Sequence, residues 1–170
     1  SAKTARVIPI REIQVITLRP DIANPAFLAY RRGNFFWHID GTTDPYPQEA
    51  TFLTAREIDD LGQGGTEFAS LCDAYEALPA DEQERLAGLE VVHSFAAAQS
   101  VATPDATDDE RELWNRRKPR THSLVYERAD GRKSLMIGVT ASHVVGLPVD
   151  EGRALLDHLL EFATQERFTL

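Results

Sequence analysis

Apolar positions along the chain fall into short runs separated by turn residues, which predicts strands and brief helices rather than long amphipathic elements. Val7-Ile8-Pro9-Ile10 and Ile13 to Leu18 are β-branched and apolar and read as strand; Pro9 marks an edge or a break, and Arg19-Pro20 ends the run. Residues 20 to 34, with two prolines and Arg31-Arg32-Gly33, form a loop. In Asn34-Phe35-Phe36-Trp37-His38-Ile39-Asp40-Gly41-Thr42 the next strand is expected. Trp37 and Ile39 then face one layer while His38 and Asp40 share the other. Gly41 to Pro47 is turn material, Ala50 to Glu57 returns to a strand pattern, and Leu61 to Gly65 is a Gly-rich turn suited to positive φ. Thr66 to Ala69 reads as a short strand.

Helical signals follow. Ser70 with Asp73 three residues on makes a capping pattern for a helix whose packed face is Ala74, Tyr75 and Leu78, and Pro79 stops it. Ala80 to Leu86 is a second short helix with acidic residues at its start. Leu89 to Phe95 is a strand containing His93, a position where a lone histidine is usually a hydrogen-bonded core residue. Ala96 to Arg120 lacks apolar periodicity and reads as a mobile excursion over the surface or over a site. Thr121 to Glu127 and Lys133 to Ile137 form a hairpin around Asp130-Gly131, and Val139 to Leu147 carries His143. Asp150 caps a final helix with the stripe Leu155, Leu156, Leu159, Leu160 and Ala163, leaving His158 partly exposed. Many strands, frequent turns and few helices favour a mainly β, antiparallel architecture with flanking helices.

Composition narrows the function. At 170 residues, 42% hydrophobic and 26% charged, the chain fits one domain with a real core. A net charge of -9 argues against nucleic acid or an anionic membrane as partner, since both need clustered Lys and Arg. No apolar run approaches a membrane span or follows a charged start, and Cys72 is the only cysteine, so a cytoplasmic location is expected.

The candidate chemistry is His38 and Asp40. A neutral imidazole nitrogen and a carboxylate oxygen side by side are two of the three ligands of the facial triad that holds non-haem Fe(II) and leaves positions open. A His-x-Asp spacing is roughly a one-in-three chance event in a chain of this composition, so the pair carries little by itself.

Five blocks in order carry more: Trp37-His38-Ile39-Asp40, Gly64-Gly65-Thr66-Glu67-Phe68, Ala74-Tyr75-Glu76-Ala77-Leu78-Pro79, Gly131-Arg132-Lys133 and Ala141-Ser142-His143-Val144-Val145-Gly146-Leu147-Pro148. Together they closely resemble the taurine/chlorophenoxyacetate (TauD/TfdA) dioxygenase family of Fe(II)- and 2-oxoglutarate-dependent oxygenases. The ending, Glu151 to Leu156 and Ala163-Thr164-Gln165, is most similar to the chlorophenoxyacetate branch. The resemblance implies a double-stranded β-helix, or jelly roll, that is incomplete in this chain. It implies His38 and Asp40 as the first two metal ligands, Thr66 as the hydroxyl that binds 2-oxoglutarate, and Asn34 and His143 as substrate-binding residues. Where the family usually has Asp before that threonine, this chain has Gly65.

The implied cofactors are Fe(II), 2-oxoglutarate and O2. The implied reaction is hydroxylation of a small organic acid, aryloxyalkanoate-like or sulfonate-like, with decarboxylation of 2-oxoglutarate to succinate. The family's third, distal His ligand and its 2-oxoglutarate-binding Arg lie beyond Leu170. His93, His122, His143 and His158 each fall in a block with another place in the fold, so the chain is expected to be an internal portion of a longer enzyme and inactive alone. An unfinished β-core leaves edges that favour a homo-oligomer. The competing reading, from a different class, is a non-catalytic β-helix fragment or binding module.

Overall fold

A computed structural model describes residues 32–56 and 65–170. The expected strands between Val7 and Leu18 and the turn from Leu61 to Gly64 lie outside the described residues.

The centre of the fold is the Leu89 to Phe95 run, of which β1, Glu90–His93, is strand. Val91 and His93 alternate inward from it, both fully buried. On one side it pairs antiparallel with β2, Arg120–Ser123, Val91 opposite His122 and His93 opposite Arg120. On the other it pairs with β5, Ala141–Val144, where the register shifts between Val92 and His93. A separate antiparallel ribbon joins β3, Val125–Glu127, to β4, Lys133–Leu135. The hairpin turn is the expected one: Arg128 N–H donates to Arg132 O at 2.8 Å, and Gly131 takes φ +82°. Leu124, fully buried, separates β2 from β3, so the expected Thr121 to Glu127 strand serves both sheets.

Among the described residues, five helices surround these sheets. Ser70 caps α1, Leu71–Glu76, by accepting from Asp73 N–H at 3.3 Å. Next comes α2, Ala80–Leu86, over the residues the sequence indicates. Arg132 in the hairpin turn fastens α1 to the ribbon, donating to Glu76 at 2.7 Å and Asp73 at 2.6 Å. The last helix, α5, spans Val149–Ala163; its Leu156, Leu159 and Ala163 are buried, Leu155 and Leu160 pack at the margin, and His158 is exposed. It lies close on β5, because a Cβ at Gly152 would stand 3.1 Å from Val144 N. Pro148, not Asp150, occupies the N-cap; Asp150 falls inside the first turn, where its charge still suits the helix dipole.

Other expectations are corrected. The Ala96 to Arg120 stretch, read as an excursion, holds most of two helices: α3, Phe95–Ala102, capped by Ser94 and begun at a residue expected to be strand, and α4, Asp108–Asn115, opened by a reciprocal Thr107–Glu110 capping box. They pack on each other with Ala98, Ala102 and Trp114 buried. Small alanines and one tryptophan suffice for that contact, so no long apolar stripe is visible in the sequence. Of the expected strand Ala50 to Glu57, residues 50–56 are irregular and exposed, with Phe52 at 92%, because no partner strand among the described residues meets them, and Glu57 lies outside the described residues. Thr66 to Ala69 contracts to one bridge, Ala69 to Thr169, flanked by mutual Phe68–Leu170 backbone bonds. Helical residues therefore outnumber strand residues among the described ones, against the mainly β expectation; the antiparallel pairing itself is present.

Candidate metal centre

The segment carrying His38 is not a strand, yet it keeps the predicted alternation. A 3-10 turn, Gly33–Phe35, closes with Phe36 N–H donating to Gly33 O at 3.1 Å, after which the chain extends. Trp37 and Ile39 turn inward, Ile39 onto the core, while His38 and Asp40 point to solvent. One backbone bond ties it to the body, Val139 N–H to Trp37 O at 2.8 Å. A single bond of this kind makes no ladder, which is why alternation survives without sheet pairing. Beyond Asp40 the chain reverses at Gly41, φ +76°, with Asp44 N–H on Gly41 O.

His38 and Asp40 meet. His38 Nε2 lies 3.6 Å from Asp40 Oδ1, and the two side chains are 36% and 50% exposed. His38 Nδ1–H donates to the Phe36 carbonyl at 2.8 Å. That bond fixes the tautomer: the proton is on Nδ1 and the Nε2 lone pair faces the carboxylate. A lone pair and a carboxylate oxygen facing each other repel unless something positive stands between them. A divalent ion with bonds of about 2 Å to each atom spans such a gap. A backbone carbonyl holding the remote ring nitrogen is also the usual support of a metal-binding histidine. The donor set and its orientation therefore fit Fe(II). Among the described residues, no group of three or more His, Cys, Asp or Glu side chains could hold a metal ion.

Beneath this pair runs a polar chain that the sequence reading did not single out. Thr42, 1% exposed, donates from Oγ1 to Ile39 O at 3.4 Å. Its Oγ1 also lies 2.9 Å from Thr140 Oγ1, which in turn is 2.8 Å from His93 Nδ1. His122 Nε2–H donates to the Thr42 carbonyl at 2.8 Å, and the two histidine rings sit 5.6 Å apart. His93 Nε2 is buried without a hydrogen-bond partner among the described residues. Burial first, and the His122 ring second, push the His93 pKa from 6.5 down to about 4, with the Met136 carbonyl opposing. The ring is neutral at physiological pH. Thr42 and Thr140 are 98 positions apart, and nothing in their neighbourhoods marks them as partners.

The other candidates stand on separate elements. Asn34 is exposed in the 3-10 turn, which packs on α3. Thr66 is exposed on the extended stretch before Ala69. Gly65 beside it is exposed, and a Cβ there would meet nothing within 4 Å; the rest of the expected positive-φ turn lies outside the described residues. His143 is half-buried on β5. Ser142 Oγ donates to Val92 O at 2.9 Å, so it accepts from His143 Nδ1–H, also at 2.9 Å. Arg153, donating to the Ala141 carbonyl and paired with Asp157 at 2.7 Å, steadies that strand.

A model of the taurine catabolism dioxygenase TauD, TfdA family matches residues 8–170. The chain is 42% identical over 140 residues to the alpha-ketoglutarate-dependent 2,4-dichlorophenoxyacetate dioxygenase of Cupriavidus pinatubonensis, covering 80% of this chain and 48% of that one. It is 32% identical over 154 residues to the (S)-phenoxypropionate/alpha-ketoglutarate-dioxygenase of Sphingobium herbicidovorans, covering 88% and 53%. Among solved structures, AAD-2 in complex with Mn(II) and N-oxalylglycine superposes with TM-score 0.71 at 34% identity, over 81% of this chain and 53% of that one. The chain spans about half the length of the curated relatives it matches.

Proposed function

The chain belongs to the taurine catabolism dioxygenase TauD, TfdA family, and from that premise we propose that the whole protein is an Fe(II)/2-oxoglutarate-dependent dioxygenase. It hydroxylates a small organic acid of the aryloxyalkanoate or sulfonate kind and converts 2-oxoglutarate to succinate and CO2. The observation that carries the reading is the orientation of His38, its Nδ1–H bound to Phe36 O and its bare Nε2 3.6 Å from Asp40.

His38 and Asp40 hold the iron; the third ligand and the cation for the far carboxylate of 2-oxoglutarate come from outside the described residues. Bound iron with 2-oxoglutarate and O2 supplies the oxidising power. The chain's own residues bind and orient. Thr66 offers its hydroxyl to the cosubstrate, and Asn34 lines the substrate pocket. His143 faces the substrate carboxylate. Its Nδ1 lies 2.9 Å from Ser142 Oγ, which leaves Nε2 as the ring atom for the carboxylate. The sheets described here form part of a jelly roll that further strands complete. The relatives' printed names support the substrate class, being a 2,4-dichlorophenoxyacetate and a phenoxypropionate dioxygenase. A homo-oligomer in the cytoplasm completes the proposal.

The test is anaerobic addition of Fe(II) and 2-oxoglutarate to the full-length protein. A weak visible charge-transfer band, followed by succinate on admitting O2 and an aryloxyalkanoate, is the expected result, and both are lost in His38→Ala. Succinate production undiminished in His38→Ala would show that the ligand is elsewhere.

A further inference from the structure

The described part of the molecule leaves the Asp40 turn weakly attached on its own account. Its one backbone tie, Val139 to Trp37, lies before His38, and Asp40 is half exposed. On the other side of Asp40, the residue that anchors the turn is Thr42, 1% exposed. Its hydroxyl meets Ile39 O and Thr140 Oγ1, its carbonyl accepts from His122, and Thr140 is held by the fully buried His93.

We propose that His93, Thr140 and Thr42 form a positioning chain that sets the Asp40 carboxylate against His38 and so governs metal affinity without touching the ion. The inference rests on the metal centre proposed above. Two buried polar side chains, Thr42 and His93, joined to half-buried Thr140 and His122 under an exposed turn, are a costly way to fill space, since apolar side chains of similar volume need no partner to satisfy. What the polar chain adds is direction. Hydrogen bonds are directional, and the contacts from His93 to Thr140, Thr140 to Thr42 and Thr42 to Ile39 O tie the turn to β1 at successive distances of 2.8, 2.9 and 3.4 Å. His93 sits on β1, the middle strand, and His122 on the neighbouring β2, so the turn is referenced to the three-stranded sheet. Replacing the Thr140 hydroxyl by a methyl leaves His93 Nδ1 without its partner and frees Thr42, and the turn loses its register against His38.

The experiment uses the full-length protein and Mn(II) alone, with free Mn(II) followed by electron paramagnetic resonance, so that no turnover is needed. Thr140→Val is expected to weaken Mn(II) binding by ~10- to 100-fold, the range typical of groups that orient metal ligands, and Thr140→Ser to restore it. Leu159→Ala, a cavity in α5 remote from the turn, lowers Tm while leaving Mn(II) affinity in place. Thr42→Val breaks the chain one link closer to Asp40, carries the same expectation, and decides the matter if Thr140→Val does not fold. Affinity within twofold of the parent in Thr140→Val, or an equal loss in Leu159→Ala, overturns the positioning role. Unchanged affinity in His38→Ala as well overturns the metal centre, and the positioning chain falls with it.

Discussion

The backbone of Gly138 lies against that of His38: a Cβ on Gly138 would stand 3.1 Å from His38 Cα and 3.0 Å from Trp37 O, at φ +129°. The contact is made one residue before the Val139 N–H that holds Trp37. Glycine is therefore required twice, for the approach and for the backbone angle. Gly138→Ala is expected to destabilise the fold by an amount on the order of 1–3 kcal/mol and to push the His38 segment outward. Denaturant unfolding checks the first effect and Mn(II) affinity the second. A variant as stable and as tightly metal-binding as the parent contradicts the packing described.

His93 gives stability a pH dependence whose sign is determined. Its pKa is 6.5 when solvated and about 4 in the fold. Above pH 6.5 the ring is neutral in both states and the folded form carries no penalty. As pH falls from 6.5 toward 4, the unfolded chain takes up a proton that the folded chain refuses, and stability declines by up to roughly 3 kcal/mol. Urea unfolding between pH 7 and 4 measures it. His93→Gln, which cannot titrate, flattens the decline in that window; an unaltered profile refutes the assignment.

The helix α4 depends on its first residues. Thr107 accepts from Glu110 N–H at 3.3 Å, while Glu110 accepts from Thr107 N–H at 2.8 Å. These bonds, the backbone one first, also hold the Glu110 carboxyl below its ordinary pKa. Thr107→Ala is expected to cost about 1 kcal/mol and to speed amide exchange across Asp108 to Asn115. If residues 108–115 exchange at random-coil rates in the parent protein, the segment is the loop that its weak apolar pattern suggests.

Local rules were legible where the chemistry is local. Ser70 and Asp73 announce α1, the acidic start announces α2, Asp130-Gly131 announces the hairpin, and the leucine stripe announces α5, because capping, turn formation and amphipathicity act over three or four residues. The alternation that puts His38 beside Asp40 is of the same kind; it follows from an extended backbone whether or not a partner strand is present. The helices at 95–115 escaped because alanine and one tryptophan bury too little in any single turn to show as a stripe. Ala50 to Glu57 misled because alternation states what a strand needs and not whether a partner arrives.

The amino-acid sequence by itself determined the family, the candidate pair His38 and Asp40 and the elements with local signals, since these reside in short blocks read along the chain. Tertiary structure alone decided how that pair is held. Thr42, Thr140, His93 and His122 come from four separated stretches, and hydrogen bonds only a few ångströms long join them once β1, β2 and β5 have paired. No rule acting along the chain could have matched them, because each residue's partner is fixed by where the folded sheet places it.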